Sequence, residues 1–132
     1  MRTLVLALLL STSSLALETP LPIKLGQPFT LHPSGGGTYV ARLEAAKLNV
    51  EFVRLVKDNR CPYNVTCVWA GDAVVEVRLS NPRWIKTVQL HTGLEPRAVV
   101  ALGHRIALSD LTQSRDPSVP FKPKVTFVLT KP

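Results

Sequence analysis

The sequence predicts an all-β domain: a single antiparallel β-sandwich, with a small β-barrel as the alternative closure, carrying one disulfide across a short loop. Three observations lead there. Several short runs alternate apolar and polar residues with the period of two that a half-buried strand requires, and no window carries a sustained helical stripe. Turn-forming residues separate those runs at short intervals, a spacing that suits about eight strands in a sandwich or barrel. The two cysteines, Cys61 and Cys67, lie close together behind what reads as an export leader, a context in which thiols oxidise.

The leader comes first. Arg2 supplies a positive start, residues 4–10 form an unbroken apolar run too short to span a bilayer, and Ser14-Leu15-Ala16 places small residues at a cleavage site. Residues 1–16 are therefore expected to be a signal peptide and residues 17–132 a single all-β domain, long enough to bury its own core. A lipoprotein signal needs a cysteine just after the apolar run, and the first cysteine is Cys61. The expected location is periplasmic or extracellular, without a lipid anchor and without a transmembrane segment in the mature chain.

Along the domain, residues 23–25, 28–31, 38–43 and 48–57 read as strands with imperfect alternation. Residues 39–47 also hold Ala41, Leu43, Glu44, Ala45, Ala46 and Lys47, good helix formers that suit a short helical turn. The clearest strand is 73–80, where Ala73, Val75, Val77 and Leu79 point to the core, Glu76, Arg78 and Ser80 face water, and Val74 is the mismatch. Residues 84–91 follow, with Trp84, Lys86, Val88 and Leu90 on one face, then 98–102 and 105–111. Pro117, Pro120 and Pro123 make residues 113–124 an extended connection, and Val125, Phe127 and Leu129 mark a last strand that must pair inside a sheet. Gly26, Pro33 with the glycine run 35–37, Asn81-Pro82, Thr92-Gly93 and Gly103 supply the punctuation.

The most distinctive stretch is Arg60-Cys61-Pro62-Tyr63-Asn64-Val65-Thr66-Cys67-Val68-Trp69-Ala70-Gly71. Its C-x5-C spacing lacks the two-residue interval of zinc knuckles and thioredoxin-like motifs, which leaves a disulfide. A loop this short stabilises by on the order of 2 kcal/mol in the chain-entropy model, so the bridge shapes one loop more than it holds the domain. Trp69 is expected to pack on the bridge and the core, its N–H finding a carbonyl. Arg60 stands between Asp58 and the staple with Asp72 just beyond, so its guanidinium is expected to pair one of the two carboxylates and tie the ends of the loop together. Pro62 and Gly71 complete the loop scaffold.

Chemistry is sparse elsewhere. The formal net charge of +7 is spread along the chain rather than gathered into runs, a pattern that serves solubility or attraction to anionic envelope components. His32, His91 and His104 stand one per strand end without metal-ligand spacing, and the initiator is the sole methionine, so neither metal nor cofactor is expected. Neither a G-x-S-x-G elbow nor a Ser-x-x-Lys occurs, leaving only a triad assembled from His91 or His104 with Asp110 and a serine. The glycine run is followed by no Gly-Lys-Ser/Thr, and no basic strand is rich in base-stacking aromatics, which argues against nucleotide and nucleic-acid binding.

Asp58-Asn59-Arg60-Cys61-Pro62, then Cys67-Val68-Trp69-Ala70-Gly71-Asp72-Ala73, with Leu25-Gly26-Gln27-Pro28-Phe29-Thr30-Leu31 upstream, resembles a family of small uncharacterised exported bacterial proteins and lipoproteins. The family signature is D-S-R-C-P followed by C-x-W-A-G, and this chain departs from it with Asn59 at the serine and no lipobox cysteine. The resemblance implies export and a disulfide and brings no activity. The expected function is a non-enzymatic envelope or periplasmic binding module that presents the stapled loop to an anionic envelope component or another protein. A protease-inhibitor-like domain and a hydrolase with a site assembled across loops are the alternatives.

Overall fold

A computed structural model of the chain describes residues 20–33, 38–62, 64–114 and 121–132. The expected leader, the glycine run 35–37, Tyr63, Pro117 and Pro120 lie outside the described residues. The strands are β1 (Leu21–Pro22), β2 (Pro28–Leu31), β3 (Val40–Leu43), β4 (Leu48–Asp58), β5 (Ala73–Asn81), β6 (Trp84–His91), β7 (Ala98–Ala101), β8 (His104–Leu111) and β9 (Val125–Thr130). They form two sheets, in the orders β1-β3-β4-β5-β6 and β2-β9-β8-β7. Every pairing is antiparallel except the two-residue contact of β1 with β3, and neither sheet closes on itself, so the fold is a sandwich and not a barrel.

Alternation becomes packing as the sequence requires. On β5 the side chains of Ala73, Val75, Val77 and Leu79 are fully buried, and on β9 Val125, Phe127 and Leu129 face them from the other sheet. Phe52 on β4 and Phe127 are the largest wholly buried side chains, and Phe29 on β2 meets Phe127 with ring centroids 5.9 Å apart. The helix formers after β3 make one 3-10 turn, Glu44–Ala46, closed by Lys47 at a left-handed φ of 49°. Residues 23–25 are not a strand: the parallel contact falls one step earlier, at Leu21–Pro22, and Leu25 lies in the turn before β2. Val74 is buried but outside the core cluster, on the opposite face of β5 between Lys57 and His91.

β4 explains its own uneven alternation. Its register with β5 slips between Phe52 and Arg54 and again between Leu55 and Lys57, so Val53 and Val56 are extra residues in a doubly bulged strand. Leu48, Val50 and Phe52 point inward, and after the first bulge the inward position passes to Leu55.

Strand directions give the sandwich two unlike ends. At one end the connections are short: the turn before β2, the 3-10 turn, Pro82-Arg83 and Leu102-Gly103. At the other end β2, β4, β6 and β8 finish and the longer connections leave them, the stapled one among them. No helix among the described residues is long and apolar enough to cross a membrane.

Candidate binding surface at the stapled end

Cys61 and Cys67 are joined in a disulfide. The loop grows directly out of the β4–β5 ladder, because Asn59 N–H donates to the Asp72 carbonyl (2.8 Å) and Cys61 N–H to the Ala70 carbonyl (2.8 Å). Gly71 makes that continuation sterically feasible. Its φ of +80° is a left-handed conformation, and a β-carbon there would collide with the Asn59 carbonyl oxygen and the Arg60 α-carbon. Gly93 of the neighbouring loop packs against Gly71 just as closely, since its β-carbon would strike the Gly71 carbonyl oxygen.

Arg60 fastens this root across the sandwich. Its Nε and Nη2 hold both carboxylate oxygens of Asp58, at 2.8 and 2.7 Å, while Nη1 donates to the Leu111 carbonyl (2.6 Å) and Nη2 to the Thr112 carbonyl (2.9 Å). The expected guanidinium pair is therefore made with Asp58, and what it ties is not the loop's two ends but the loop and the end of β8 in the opposite sheet. Its side chain is only 13% exposed, which places the fork in a partly desolvated site where charge-assisted bonds hold geometry well. The same bonds keep the Asp58 carboxyl below its ordinary pKa against an opposing push from burial. Gln113 adds a further strut, its Nε2 donating to the Cys61 carbonyl at 2.8 Å.

Asp72 goes elsewhere. It is buried, at 5% exposure, and its Oδ1 accepts the N–H groups of Gly93 (2.8 Å) and Leu94 (3.1 Å). Its Oδ2 lies 2.6 Å from His91 Nδ1. Burial raises the Asp72 pKa, but the bonds from His91, Gly93 and Leu94 and the charge of the imidazole outweigh it and leave the carboxyl below its ordinary value. An ionised carboxylate only accepts, so Nδ1 carries the proton of that contact. Thr92 completes the join, its Oγ1 accepting from Ala73 N–H (2.9 Å) and its own N–H donating to the Ala73 carbonyl (3.0 Å).

One expectation is overturned. Trp69 is not in the core: it is 58% exposed, and its neighbours Val68 and Val65 stand out in solvent with it, Val68 completely so. The ladder that carries the loop ends at Cys61 and Ala70, so the disulfide and the residues after it lie beyond the strands that bury the core. Pro62 is exposed on the same loop. Leu94 and Phe121, on two adjacent loops of this end, are exposed as well.

His91 and His104 do not converge. His91 lies at the stapled end on Asp72, whereas His104 is at the far end with Nδ1 2.9 Å from the Leu102 carbonyl. Asp110 lines a cleft of about 220 Å³ with Arg60, Thr92 and Ser109. That volume is below the roughly 300–1,000 Å³ of ordinary small-molecule sites. Among the described residues no group of three or more histidine, cysteine or acidic side chains is placed to hold a metal ion. Sequence reasoning passed over His91 as a partner of Asp72 and Gln113 as a strut. The first shows only once β5 and β6 are in register, and the second joins connections that leave different sheets. No protein-family model, curated protein or solved structure matches the chain.

Proposed function

We propose that this chain is an exported, non-enzymatic binding module whose recognition element is the stapled loop. The observation that carries this reading is the contrast between the loop's root and its tip. The root is held by a disulfide, an arginine fork and a buried aspartate, while the tip turns Val65, Val68 and Trp69 outward. Fixing a loop before it meets a partner removes much of the ordering cost of association, and an exposed tryptophan on such a loop is the residue type that dominates binding energy. The leader motif of the sequence and the disulfide support an oxidising compartment outside the cytosol. The small polar cleft beside Asp110 and the separation of His91 from His104 favour binding over hydrolysis.

The test is retention of the oxidised protein on isolated cell-envelope fractions, with Ile85→Ala as a matched control because Ile85 is 70% exposed near the far end. Trp69→Ala and Val68→Ser are expected to lose retention at unchanged fold, and Ile85→Ala to keep it. Equal retention of all three variants and the parent would refute the loop as the recognition element.

A further inference from the structure

We infer that the stapled end docks on an anionic lipid surface, an inference that rests on the binding-module reading above and names its partner. Five of the nine large apolar side chains exposed among the described residues, Val65, Val68, Trp69, Leu94 and Phe121, belong to this one end, while Leu25, Ile85, Val100 and Leu102 are scattered over β7 and the far end. They come from three loops that are pinned to one another. Leu94 N–H is bound by Asp72 Oδ1 at the foot of the stapled loop. Lys124 is tied to Thr112 by two hydrogen bonds, and the Thr112 carbonyl accepts from Arg60. The bases of the three loops are therefore joined at one end of the sandwich, which presents their apolar tips together.

Separate, outward-pointing tips fit a bilayer interface better than a protein pocket. A protein partner must match each tip in shape, whereas the headgroup and upper acyl region accept several at once without matching, and tryptophan prefers that depth. The loop's root already satisfies much of its own backbone, through Cys61 with Ala70, Val65 N–H with the Pro62 carbonyl, and Gln113 with the Cys61 carbonyl. That matters in a medium poor in water.

Charge points the same way. Lys57, Arg97, Lys122 and Lys124 are exposed at this end, and among the described residues no salt bridge engages them. Of the carboxylates nearby among the described residues, Asp58 is held by Arg60 and Asp72 is buried on His91, which leaves Glu95 and Asp110 beside the four cations. Lys122 follows the exposed Phe121 directly, an apolar anchor beside a cation that meets the lipid phosphate layer.

The experiment uses the oxidised protein with sedimented vesicles of phosphatidylcholine alone or with phosphatidylglycerol added, and follows indole emission in a Trp84→Phe background so that Trp69 reports alone. Binding to the anionic vesicles with a blue shift, weakened by salt, is the expected result. Trp69→Ala should reduce the binding at least tenfold, and each of Lys122→Glu and Lys124→Glu by about fivefold or more. Binding that ignores lipid charge or survives Trp69→Ala would overturn the proposal. Failure on every vesicle, with Trp69-dependent retention on envelope fractions intact, would overturn the lipid partner alone and point to a protein. Loss of neither on Trp69→Ala would remove both readings.

Discussion

The two ends of the sandwich solve the same geometric problem with different chemistry. At the far end, Asn81 Oδ1 accepts the N–H groups of Arg83 and Trp84, at 2.8 and 2.9 Å, and closes the β5–β6 turn. At the stapled end, Asp72 Oδ1 accepts those of Gly93 and Leu94, at 2.8 and 3.1 Å, and binds the β6–β7 loop to the root of the staple. An uncharged amide suffices where the turn is short and exposed. A buried carboxylate with an imidazole partner is used where two long loops must be held together. The lesson is that a side-chain oxygen caps a turn at both ends, and that only at the stapled end is it joined by side-chain bonds between separate long loops.

The comparison is tested most severely by two glycines that share a left-handed conformation. Gly71 at the stapled end has φ +80° and Gly103 at the far end +72°, but a β-carbon on Gly103 meets nothing within 4 Å. Gly103→Ala should therefore cost only the backbone strain of about 1–2 kcal/mol. Gly71→Ala adds a collision with the backbone of Asn59 and Arg60, and the total should reach roughly 2–5 kcal/mol. Denaturant midpoints of the two variants measure the difference. Equal losses would mean that the loop root relaxes freely and is not the rigid pedestal described above.

How much of this was legible in the sequence follows from the range of the interactions. Alternation in β9, and in β5 apart from Val74, is a local property, and both strands fall where residues 73–80 and 125–129 place them. The disulfide is equally local, six residues apart. Asp72 and His91 are 19 residues apart and meet only because Val74 pairs with His91 across the β5–β6 hairpin. Arg60 reaches carbonyls 51 and 52 residues away in the other sheet, a contact no sequence pattern encodes. Trp69 was misplaced for a related reason: adjacency to a cysteine does not say whether the bridge lies over the core or beyond the end of a ladder.

The next effect distinguishes the aspartate-capped end from the amide-capped one. Asp58 and Asp72 both have pKa values held below the ordinary aspartate value of about 3.9, so each contributes stability that is fully present above that value. That contribution is lost as pH falls through the lowered folded-state values. For Asp72, whose bonds are buried, the loss should be on the order of 2 kcal/mol, the usual worth of hydrogen bonds to a charged acceptor. Amide resonances of Gly93 and Leu94 should shift together with a midpoint below the ordinary carboxylate value, while those of Arg83 and Trp84, capped by an amide, should stay in place. Movement of both sets at one midpoint would show a single global transition and erase the distinction between the ends.

The smallest effect is expected where the loop is most conspicuous. Each end carries one tryptophan, and Trp84 packs against the core cluster while Trp69 is 58% exposed. Truncating a fully buried large aromatic costs about 3–5 kcal/mol, so Trp84→Ala, half-buried, should cost on the order of 2 kcal/mol. Trp69→Ala should leave stability within about 0.5 kcal/mol of the parent, as substitutions at unengaged surface positions do. Removing the bridge beneath it with Cys61→Ser and Cys67→Ser together should cost more than removing the indole, on the order of 2 kcal/mol, because the bridge restrains the unfolded chain as well as the loop. Unfolding in denaturant, followed by circular dichroism because two of the variants lose a fluorophore, ranks the three. A Trp69→Ala loss as large as that of Trp84→Ala would mean that the indole is folded down onto the domain in solution, leaving the stapled end with no tryptophan to offer a partner.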